Sequence, residues 1–347
     1  GSVFHSHADA VLALINTPDP VRACQDAFGD GVLTVPYRRP GFLLSREVGA
    51  AVRARPDALG LILLNHGAVT WGATPEEAYA RHLELVARAR AHVEARSTEP
   101  VFVAEPRFRL EDDVRRRVAA AIAPVIRGAL GREKHVIALY TDTPEVLAFV
   151  GSERARVASA AGAATPDHIL TTRRLPLWVD VADATDADGI AKVFAGALQR
   201  WRAEYEAYVL RWRTDEPKLE AAPRIVLVPG IGMWTLGRTP RAALLARDIY
   251  LHTIGIMAGA EAMGGYRSLS EEDGFRAEYW PLELYKLTLA PPDRDLAGRV
   301  ALVTGAGSGL GRAIALRLAA AGAPDAASTV ASHGGSRRSR ARKTTTR

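Results

Sequence analysis

Residues 59–77 read LGLILLNHGAVTWGATPEE and combine an apolar run, a glycine turn and a helix start. Residues 59–64 predict a buried strand, and residues 68–71 predict a second short strand after the turn. The sequence TPEE at 74–77 has the pattern of a capping box, with proline at the first helical position. Strand, turn, strand and helix in this order favour an α/β chain.

The helix that begins after Thr74 is expected to bury one face and to end near Arg96. In the capping box, Thr74 is expected to accept from the Glu77 amide while the Glu77 carboxylate reaches back to the Thr74 amide. The face predicted to be buried carries apolar residues at three-, four- and seven-residue spacings: Tyr79, Leu83, Val86 and Val93.

Helices and strands are expected to alternate along the rest of the chain. Upstream, residues 3–7 predict a short strand and residues 9–15 a helix. Pro100 and Pro106 indicate a boundary at 97–110. Beyond it, the pattern predicts helices at 110–130, 152–161, 190–212 and 240–263, and strands at 136–140, 176–181 and 224–228.

Part of the sequence recurs at an offset of 165 residues. Both copies follow an apolar strand and precede a long helix, which favours duplication of one strand-turn-helix unit. Glycine and proline are common at turns, so a chance likeness is the alternative. In a true repeat, Ile231 would occupy the position of His66. The matching positions are Gly67, Gly72, Thr74, Pro75 and Ala78 with Gly232, Gly237, Thr239, Pro240 and Ala243.

Three histidines are candidate metal ligands. His5 and His7 are two residues apart on a predicted strand, so their side chains point the same way. His66, at a strand end beside Gly67, would complete a three-nitrogen site that leaves one coordination position open. The alternative is that the His-x-His pattern is incidental in a chain with nine histidines.

Three segments resemble the class II aldolase/adducin family: residues 3–11 (VFHSHADAV), 36–42 (PYRRPGF) and 64–72 (LNHGAVTWG). More narrowly, they resemble the bifunctional rhamnulose-1-phosphate aldolase/short-chain dehydrogenase proteins, with further likeness at 165–168 (TPDH) and 246–252 (ARDIYLH). The resemblance implies that His5, His7 and His66 bind the catalytic divalent metal, usually zinc.

The resemblance also implies an activity. The implied reaction is metal-dependent retro-aldol cleavage of a sugar phosphate, L-rhamnulose 1-phosphate, to dihydroxyacetone phosphate and lactaldehyde, which a fused dehydrogenase then oxidises. The family places its proton-transfer glutamate upstream of the His-x-His motif, so we expect the catalytic residue to precede Gly1 and leave it unassigned. The rival interpretation is a metal-binding or oligomer-forming fragment without turnover.

A second motif lies near the end of the sequence. Residues 304–311 read TGAGSGLG after the apolar run 300–303 and resemble the cofactor turn of short-chain dehydrogenases. Gly305, Gly309 and Gly311 would let the backbone approach a pyrophosphate at a helix N-terminus. NAD(P) is the cofactor implied for the full-length family. The family's Tyr-x-x-x-Lys pair does not follow, so we expect this fragment not to bind NAD(P).

These observations predict an α/β fold class, with three-layer α/β/α class II aldolase-like domains followed by a truncated Rossmann βα start. Residues 1–100 would be the C-terminal part of a class II aldolase domain, and residues 101–290 a middle aldolase-like domain without metal ligands. Residues 296–323 would be the truncated dehydrogenase start, and residues 324–347 a basic disordered tail. We expect the chain to be truncated at both ends.

Composition limits the expected partners and location. Of the net charge of +6, residues 324–347 carry +5, and this Ser/Thr/Arg/Gly-rich segment indicates a solvated tail rather than a nucleic-acid site. A single cysteine, Cys24, excludes a disulfide framework. No apolar run reaches the ~18 residues of a membrane span. We expect a cytoplasmic protein that binds neither nucleic acid nor membrane, with a homo-oligomer left open.

The remaining polar and aromatic candidates receive structural interpretations. Asp167-His168 is interpreted as a turn after Pro166 rather than a site. Arg38-Arg39 fits an anion contact and a solvated loop equally well. An aromatic series at helical spacing, Trp201, Tyr205, Tyr208 and Trp212, indicates a packing face. The histidines assigned to surface or core roles are His82, His92, His135, His252 and His333.

Overall fold

The computed structural model describes residues 1–289, 292–323 and 325–328, in two compact units, residues 1–291 and 292–347. The strands of the first unit are β1 (Ser2–Ser6), β2 (Val32–Val35), β3 (Gly60–Leu63), β4 (Gly67–Gly72), β5 (Ile137–Thr141), β6 (Leu177–Trp178), β7 (Ile225–Val228) and β8 (Gly232–Gly237). Its helices are α1 (Asp9–Ile15), α2 (Pro20–Phe28), α3 (Phe42–Ala54), α4 (Pro75–Glu94), α5 (Asp112–Leu130), α6 (Pro144–Val150), α7 (Glu153–Ala161), α8 (Pro166–Thr172), α9 (Ala187–Trp212), α10 (Pro240–Ala262), α11 (Glu271–Glu278) and α12 (Pro281–Thr288).

The first sheet has four strands in the order β1-β4-β3-β2. Strand β4 is antiparallel to both β1 and β3, whereas β3 and β2 are parallel. All four residues of β3 are buried, as its uninterrupted apolar sequence predicts. Helix α4 packs against β4 and β1. Because Ser6 pairs with Ala68, the turn between β3 and β4 lies beside the end of β1.

The second sheet repeats this topology in the order β5-β8-β7-β6, with the same parallel and antiparallel pairs. A hydrogen bond from a threonine side chain on the strand to a carbonyl on the following helix also recurs in the second sheet. Thr70 Oγ1 donates to the Ala78 carbonyl at 2.9 Å, and Thr235 Oγ1, 165 residues later, donates to the Ala243 carbonyl at 2.9 Å. The predicted repeat is therefore confirmed as a structural duplication.

The two halves of the first unit share a hydrophobic core. One cluster joins Leu12 of α1 with Phe149 of α6 and Tyr250 of α10. Helices α1 and α10 approach closely because Gly259 faces Ala13, and a Cβ on the glycine would lie 2.8 Å from the Cβ of Ala13. Helix α1, which directly follows the His-x-His motif, is thereby fixed to the second half of the unit.

A second core cluster lies around the second sheet and contains the aromatic series of α9. Trp201, Tyr205 and Tyr208 are buried in it, and Trp212 packs against it while partly buried. Trp201 and Tyr205 stack with their ring centroids 5.2 Å apart. The prediction that these residues form a packing face is confirmed.

Helix α4 buries the predicted face only in part. Val86 and Val93 are partly buried and pack against the core, whereas the two predicted residues nearer the start of the helix are exposed. Tyr79 is 49% exposed and Leu83 is 51% exposed. A Cβ on Gly72 of β4 would lie 2.7 Å from the Ala78 amide nitrogen, so the helix lies too close to the sheet for large side chains at the contact. The prediction is wrong at Tyr79 and Leu83 because it followed the large apolar residues. The residues that α4 buries are Ala78, His82, Leu85 and Ala89.

The N-terminus of α4 shows one further difference. Thr74 accepts from the Glu77 amide at 3.2 Å, as the capping box predicts. The Glu77 carboxylate accepts from the amide of Ala73 at 2.7 Å instead of the predicted Thr74 amide. The reciprocal cap is therefore displaced by one residue and still satisfies an amide next to the helix start.

Several elements lie outside the sequence prediction, among them α2, β2, α3, α11 and α12, and two short ones differ as follows. Helix α6, with seven residues, was not predicted because so short a segment carries little periodic signal. Strand β6 contains two residues, whereas a strand was predicted over 176–181. No helix in the described part of the chain is long and apolar enough to cross a membrane.

The second unit contains strand β9 (Ala301–Thr304), helix α13 (Gly309–Ala320) and strand β10 (Asp325–Ser328). Strands β9 and β10 pair in parallel, so the helix connects them as a crossover. The prediction of a disordered tail from residue 324 is wrong at β10, which gains backbone hydrogen bonds from β9. The rest of the predicted tail, residue 324 and residues 329–347, lies outside the described residues.

Candidate metal centre

His5, His7 and His66 meet at one end of the first sheet. His5 lies on β1, His7 follows the last residue of that strand, and His66 occupies the turn between β3 and β4. Strand β1 pairs with β4 so that His5 is opposite Val69. This pairing brings the end of β1 beside the turn that carries His66.

The backbone around His66 allows this close approach. Asn65 adopts a left-handed conformation with φ 55°, and its Nδ2 donates to Oδ1 of Asn16 at 3.0 Å. A Cβ on Gly67 would lie 2.4 Å from the Ser6 carbonyl oxygen and 2.8 Å from Cδ2 of His7. Glycine is therefore required here, because any side chain would push the turn away from β1.

The three imidazoles are mutually close. Their ring centroids are 4.9 Å apart for His5 and His7, 5.1 Å for His5 and His66, and 5.2 Å for His7 and His66. The candidate ligand nitrogens all lie within 4.8 Å of one another. Among the described residues, these histidines are the only set of three or more His, Cys, Asp or Glu side chains arranged to hold an ion.

Hydrogen bonding and burial prepare these rings to act as ligands. Nδ1 of His5 donates to the Ala68 carbonyl at 2.9 Å, which directs Nε2 towards Nε2 of His7, 3.1 Å away. Burial and, secondarily, the charges of His5 and His7 lower the pKa of His66 to about 4. Burial is also the main cause that lowers the pKa of His7. His7 and His66 are thus neutral near pH 7, as metal ligation requires.

A divalent ion of the zinc type fits this donor set. Nδ1 of His66 is buried and has no hydrogen-bond partner among the residues that the structure describes. Leaving such a nitrogen unsatisfied costs about 1–3 kcal/mol, and an ion would use its lone pair. Three imidazoles with an exposed side at His5 leave a further coordination position for water or substrate.

His82, a buried residue of helix α4, bonds to both strands next to the candidate centre. Its Nε2 lies 2.6 Å from Oγ of Ser6, and its Nδ1 lies 3.1 Å from Oγ1 of Thr70. Because Thr70 donates its proton to the Ala78 carbonyl, we assign Nδ1 of His82 as the donor to Thr70 and Nε2 as the acceptor from Ser6. The prediction of a surface or core role for His82 is confirmed, since it is a core residue. Its bond partner Ser6 stands between the candidate ligands His5 and His7.

Asp167 joins the cluster from the second half of the chain. Its Oδ2 lies 3.5 Å from Nε2 of His7. Residues 166–172 form helix α8 instead of the predicted turn, because Thr165 caps the helix by accepting from the His168 amide at 3.2 Å. No sequence signal links Asp167 to His7, since the contact depends on how the two halves of the unit pack.

His252 also has a neighbour that sequence reasoning missed. Its Nδ1 lies 2.7 Å from Oδ2 of Asp9, the first residue of α1. This pair connects α10 to the helix that follows His7. Of the other histidines, His92 is partly buried and His135 is exposed, while His333 lies outside the described residues.

Comparison with known proteins agrees with this architecture. Residues 1–93 match the family described as "Class II Aldolase and Adducin N-terminal domain", and residues 117–287 match "Aldolase class II, second domain". The chain carries two class II aldolase-family domains. We call residues 1–93 the first aldolase domain and residues 117–287 the second.

Two other proteins are similar to this chain over part of their own length. An uncharacterized oxidoreductase, YuxG of Bacillus subtilis (strain 168), is 38% identical over 323 residues, which are 92% of this chain and 47% of the relative. The chain thus spans about half the length of this curated relative. A solved structure of the N-terminal class II aldolase domain of a conserved Thermoplasma acidophilum protein shows 40% identity, over 26% of this chain and 41% of its own, with a TM-score of 0.24.

The second aldolase domain carries other residues at the positions of the three histidines. The strand register and the 165-residue offset align His5, His7 and His66 with Tyr140, Asp142 and Ile231. The Tyr140 hydroxyl donates to the Ile231 carbonyl at 2.7 Å. Asp142 pairs with the buried Arg115 at 3.3 Å. Ile231 offers no lone pair, so this position of the duplicated site holds no ligand.

The other predicted site residues are Arg38 and the glycines of residues 304–311. Nε of Arg38 donates to Glu47 at 3.0 Å, so the guanidinium is engaged in an exposed ion pair. In the second unit, Gly305 and Gly309 have positive φ angles of 68° and 53°. A Cβ on Gly311 would lie 2.3 Å from the Gly305 carbonyl oxygen. The three glycines therefore form a tight turn between β9 and α13.

Proposed function

We propose that this chain belongs to a metal-dependent aldolase fused to a short-chain dehydrogenase. The aldolase part would cleave a ketose 1-phosphate by retro-aldol reaction. Our leading substrate is L-rhamnulose 1-phosphate, which would give dihydroxyacetone phosphate and lactaldehyde. The dehydrogenase part would then oxidise the aldehyde with NAD(P).

The observation that carries this proposal is the His5–His7–His66 cluster in a class II aldolase-family domain. Its nitrogens lie within 4.8 Å of one another, and the first-domain family match covers all three residues. The oxidoreductase name of the Bacillus subtilis relative and the glycine turn at 304–311 support the fused dehydrogenase.

The proposed chemistry assigns a task to each side chain. A divalent ion bound by the histidines would supply Lewis-acid stabilisation of the negative charge that develops on the substrate carbonyl oxygen. The Ala68 carbonyl fixes the tautomer of His5 so that Nε2 keeps its lone pair. His82 hydrogen-bonds to Ser6 and so restrains the backbone between His5 and His7. Burial keeps His66 neutral, so its ring keeps a nitrogen lone pair for the ion.

Metal-dependent release of dihydroxyacetone phosphate tests the proposal. The chain, extended upstream to include the segment that the resemblance predicts to carry the proton-transfer glutamate, is incubated with L-rhamnulose 1-phosphate and zinc, and the product is measured with glycerol-3-phosphate dehydrogenase and NADH. We expect product formation that chelator abolishes. His66→Ala should lose it, because two imidazoles remain. His135→Ala, a matched control at an exposed histidine, should keep it.

The assay also separates the proposal from its rival. A zinc-loaded chain that releases no dihydroxyacetone phosphate from L-rhamnulose 1-phosphate or from other ketose 1-phosphates would contradict aldolase activity of this chain. It would favour a metal-binding role without turnover. Equal activity in His66→Ala and the parent chain would remove the histidine cluster from the reaction.

A further inference from the structure

Asp167 is a carboxylate that the second aldolase domain presents to the metal centre of the first. Its Oδ2 lies 3.5 Å from Nε2 of His7, and Nε2 is the nitrogen of His7 that faces His5. Asp167 is not a member of the three-residue group whose ligand atoms lie within 4.8 Å of one another. It therefore faces the centre from outside the set of three imidazoles.

The short helix α8 holds Asp167 in this place. On the residue after Asp167, the buried His168 places Nδ1 3.0 Å from Oγ1 of Thr253 on α10. Thr253 in turn donates to the Ile249 carbonyl at 2.9 Å, so we assign Nδ1 of His168 as the donor to Thr253. The position of the Asp167 backbone is thereby set by α10.

The same helix α10 also fixes the chain around His7. His252, the neighbour of Thr253, pairs with Asp9 of α1 at 2.7 Å, two residues after His7. Close packing of Gly259 against Ala13 joins the same two helices. Helix α10 therefore contacts the segments on both sides of the contact between His7 and Asp167.

Charge gives this contact a consequence for metal binding. Three neutral imidazoles leave both positive charges of a divalent ion uncompensated. A carboxylate within a few ångström of a bound divalent ion lowers the free energy of the bound state. Substitution of groups just outside the ligand shell commonly changes metal affinity by about 10–100-fold. Asp9 is engaged with His252, whereas the Asp167 side chain remains about half exposed.

We propose that Asp167 is a positioning and charge-compensating residue of the metal centre. The metal affinity of the first aldolase domain would then depend on a residue of the second. The inference rests on the metal centre of the proposed function. It adds that the second domain, which lacks the histidines, contributes a residue to the site of the first. Metal binding should therefore also tighten helix α8.

Zinc affinity of the full chain, measured by competition with a chromogenic chelator, tests this role. We expect Asp167→Asn, which removes the charge and keeps the shape, to weaken zinc binding 10-fold or more. Asp167→Glu should restore part of the affinity, because it keeps the carboxylate. The matched control is Asp188→Asn, an equal change of charge at an exposed carboxylate of the same domain, and it should leave the affinity unchanged.

Hydrogen exchange adds a readout that does not depend on activity. Zinc should slow amide exchange in residues 166–172 of the parent chain, and the effect should be smaller in Asp167→Asn. If Asp167→Asn binds zinc as tightly as the parent chain while His66→Ala loses it, the role of Asp167 is wrong and the metal centre stands. If His66→Ala retains zinc, the centre itself is wrong, and both proposals fall.

Discussion

Nε2 of His82 and Oγ of Ser6 lie 2.6 Å apart, on helix α4 and strand β1 respectively. Ser6 stands between His5 and His7, so this bond ties the backbone of both candidate ligands to α4. Nδ1 of His82 is bonded at the same time to Thr70 of β4. A single buried imidazole thus connects the helix to both strands that form the edge of the site.

Removal of this imidazole should destabilise the metal-free protein. His82→Leu would leave the hydroxyl groups of Ser6 and Thr70 without their histidine partner, and lost buried hydrogen bonds of this kind cost about 1–3 kcal/mol. Urea unfolding in the presence of chelator measures the change. His92→Leu, on the same helix and partly buried, is the control and should change the free energy of unfolding by about 0.5 kcal/mol or less. Equal effects of the two substitutions would contradict a specific role of His82.

Metal content should depend on His66. We expect the purified chain to bind about one zinc ion, and His66→Ala to lose most of it, because a stable site needs at least three protein ligands. Elemental analysis after dialysis against zinc-containing buffer gives the stoichiometry. His135→Ala should retain the metal of the parent chain. An unchanged zinc content in His66→Ala would show that the ion binds elsewhere.

The sequence predicted the three histidines because their signals are local. A two-residue spacing on a strand and a glycine turn after a buried run both follow from neighbouring residues, and the 165-residue repeat is visible without a structure. The contacts around the histidines that sequence reasoning missed are those of His82 with Ser6 and of Asp167 with His7. These contacts join segments 76 and 160 residues apart in the chain, and no periodic pattern encodes how such segments pack.

The error in the buried face of α4 has a related cause. Amphipathic periodicity weights large apolar residues, and it selected Tyr79 and Leu83. The face that contacts the sheet is set by the distance between helix and strand, which near Gly72 admits only small groups such as Ala78. Short elements such as α6 escape the periodic signal for a simpler reason, since seven residues do not complete a recognisable pattern.

Acid should destabilise the protein partly through His168. Burial is the main cause that lowers its pKa from 6.5 to about 4. Between these pH values the unfolded state binds more protons than the folded state, so stability falls as the pH is lowered from 6.5 to 4 and this loss levels off below 4. The contribution is about 3 kcal/mol. His168→Asn, measured by urea unfolding with chelator, should show a correspondingly shallower loss between pH 7 and pH 4.5. The same pH dependence in both proteins would contradict the assignment.

The buried ion pair of Arg173 and Glu278 should be sensitive to loss of one partner. Their atoms are 2.6 Å apart, with side chains 11% and 2% exposed, and the Tyr205 hydroxyl also donates to Glu278 at 2.9 Å. Glu278→Gln would leave a buried guanidinium without its counter-charge, which typically costs about 3–5 kcal/mol.

Denaturant unfolding of Glu278→Gln measures that cost. The control is Glu271→Gln, which removes a more exposed carboxylate paired with Arg211 and should change the free energy of unfolding by about 1 kcal/mol or less. If the two substitutions have similar effects, the pair contributes no more than a surface ion pair.

The glycine turn of the second unit should not suffice for dinucleotide binding. Gly305, Gly309 and Gly311 give the turn the compact shape that a pyrophosphate needs, but a dinucleotide also requires a crevice where the strand order reverses. The described part of this unit contains two parallel strands, β9 and β10, and Leu310 and Ile314 of α13 are 84% and 52% exposed. We therefore expect negligible NAD affinity of this chain by isothermal titration calorimetry, and the same result for Gly309→Ala. Micromolar binding by the parent chain that Gly309→Ala abolishes would show that the turn works without the rest of a dehydrogenase sheet.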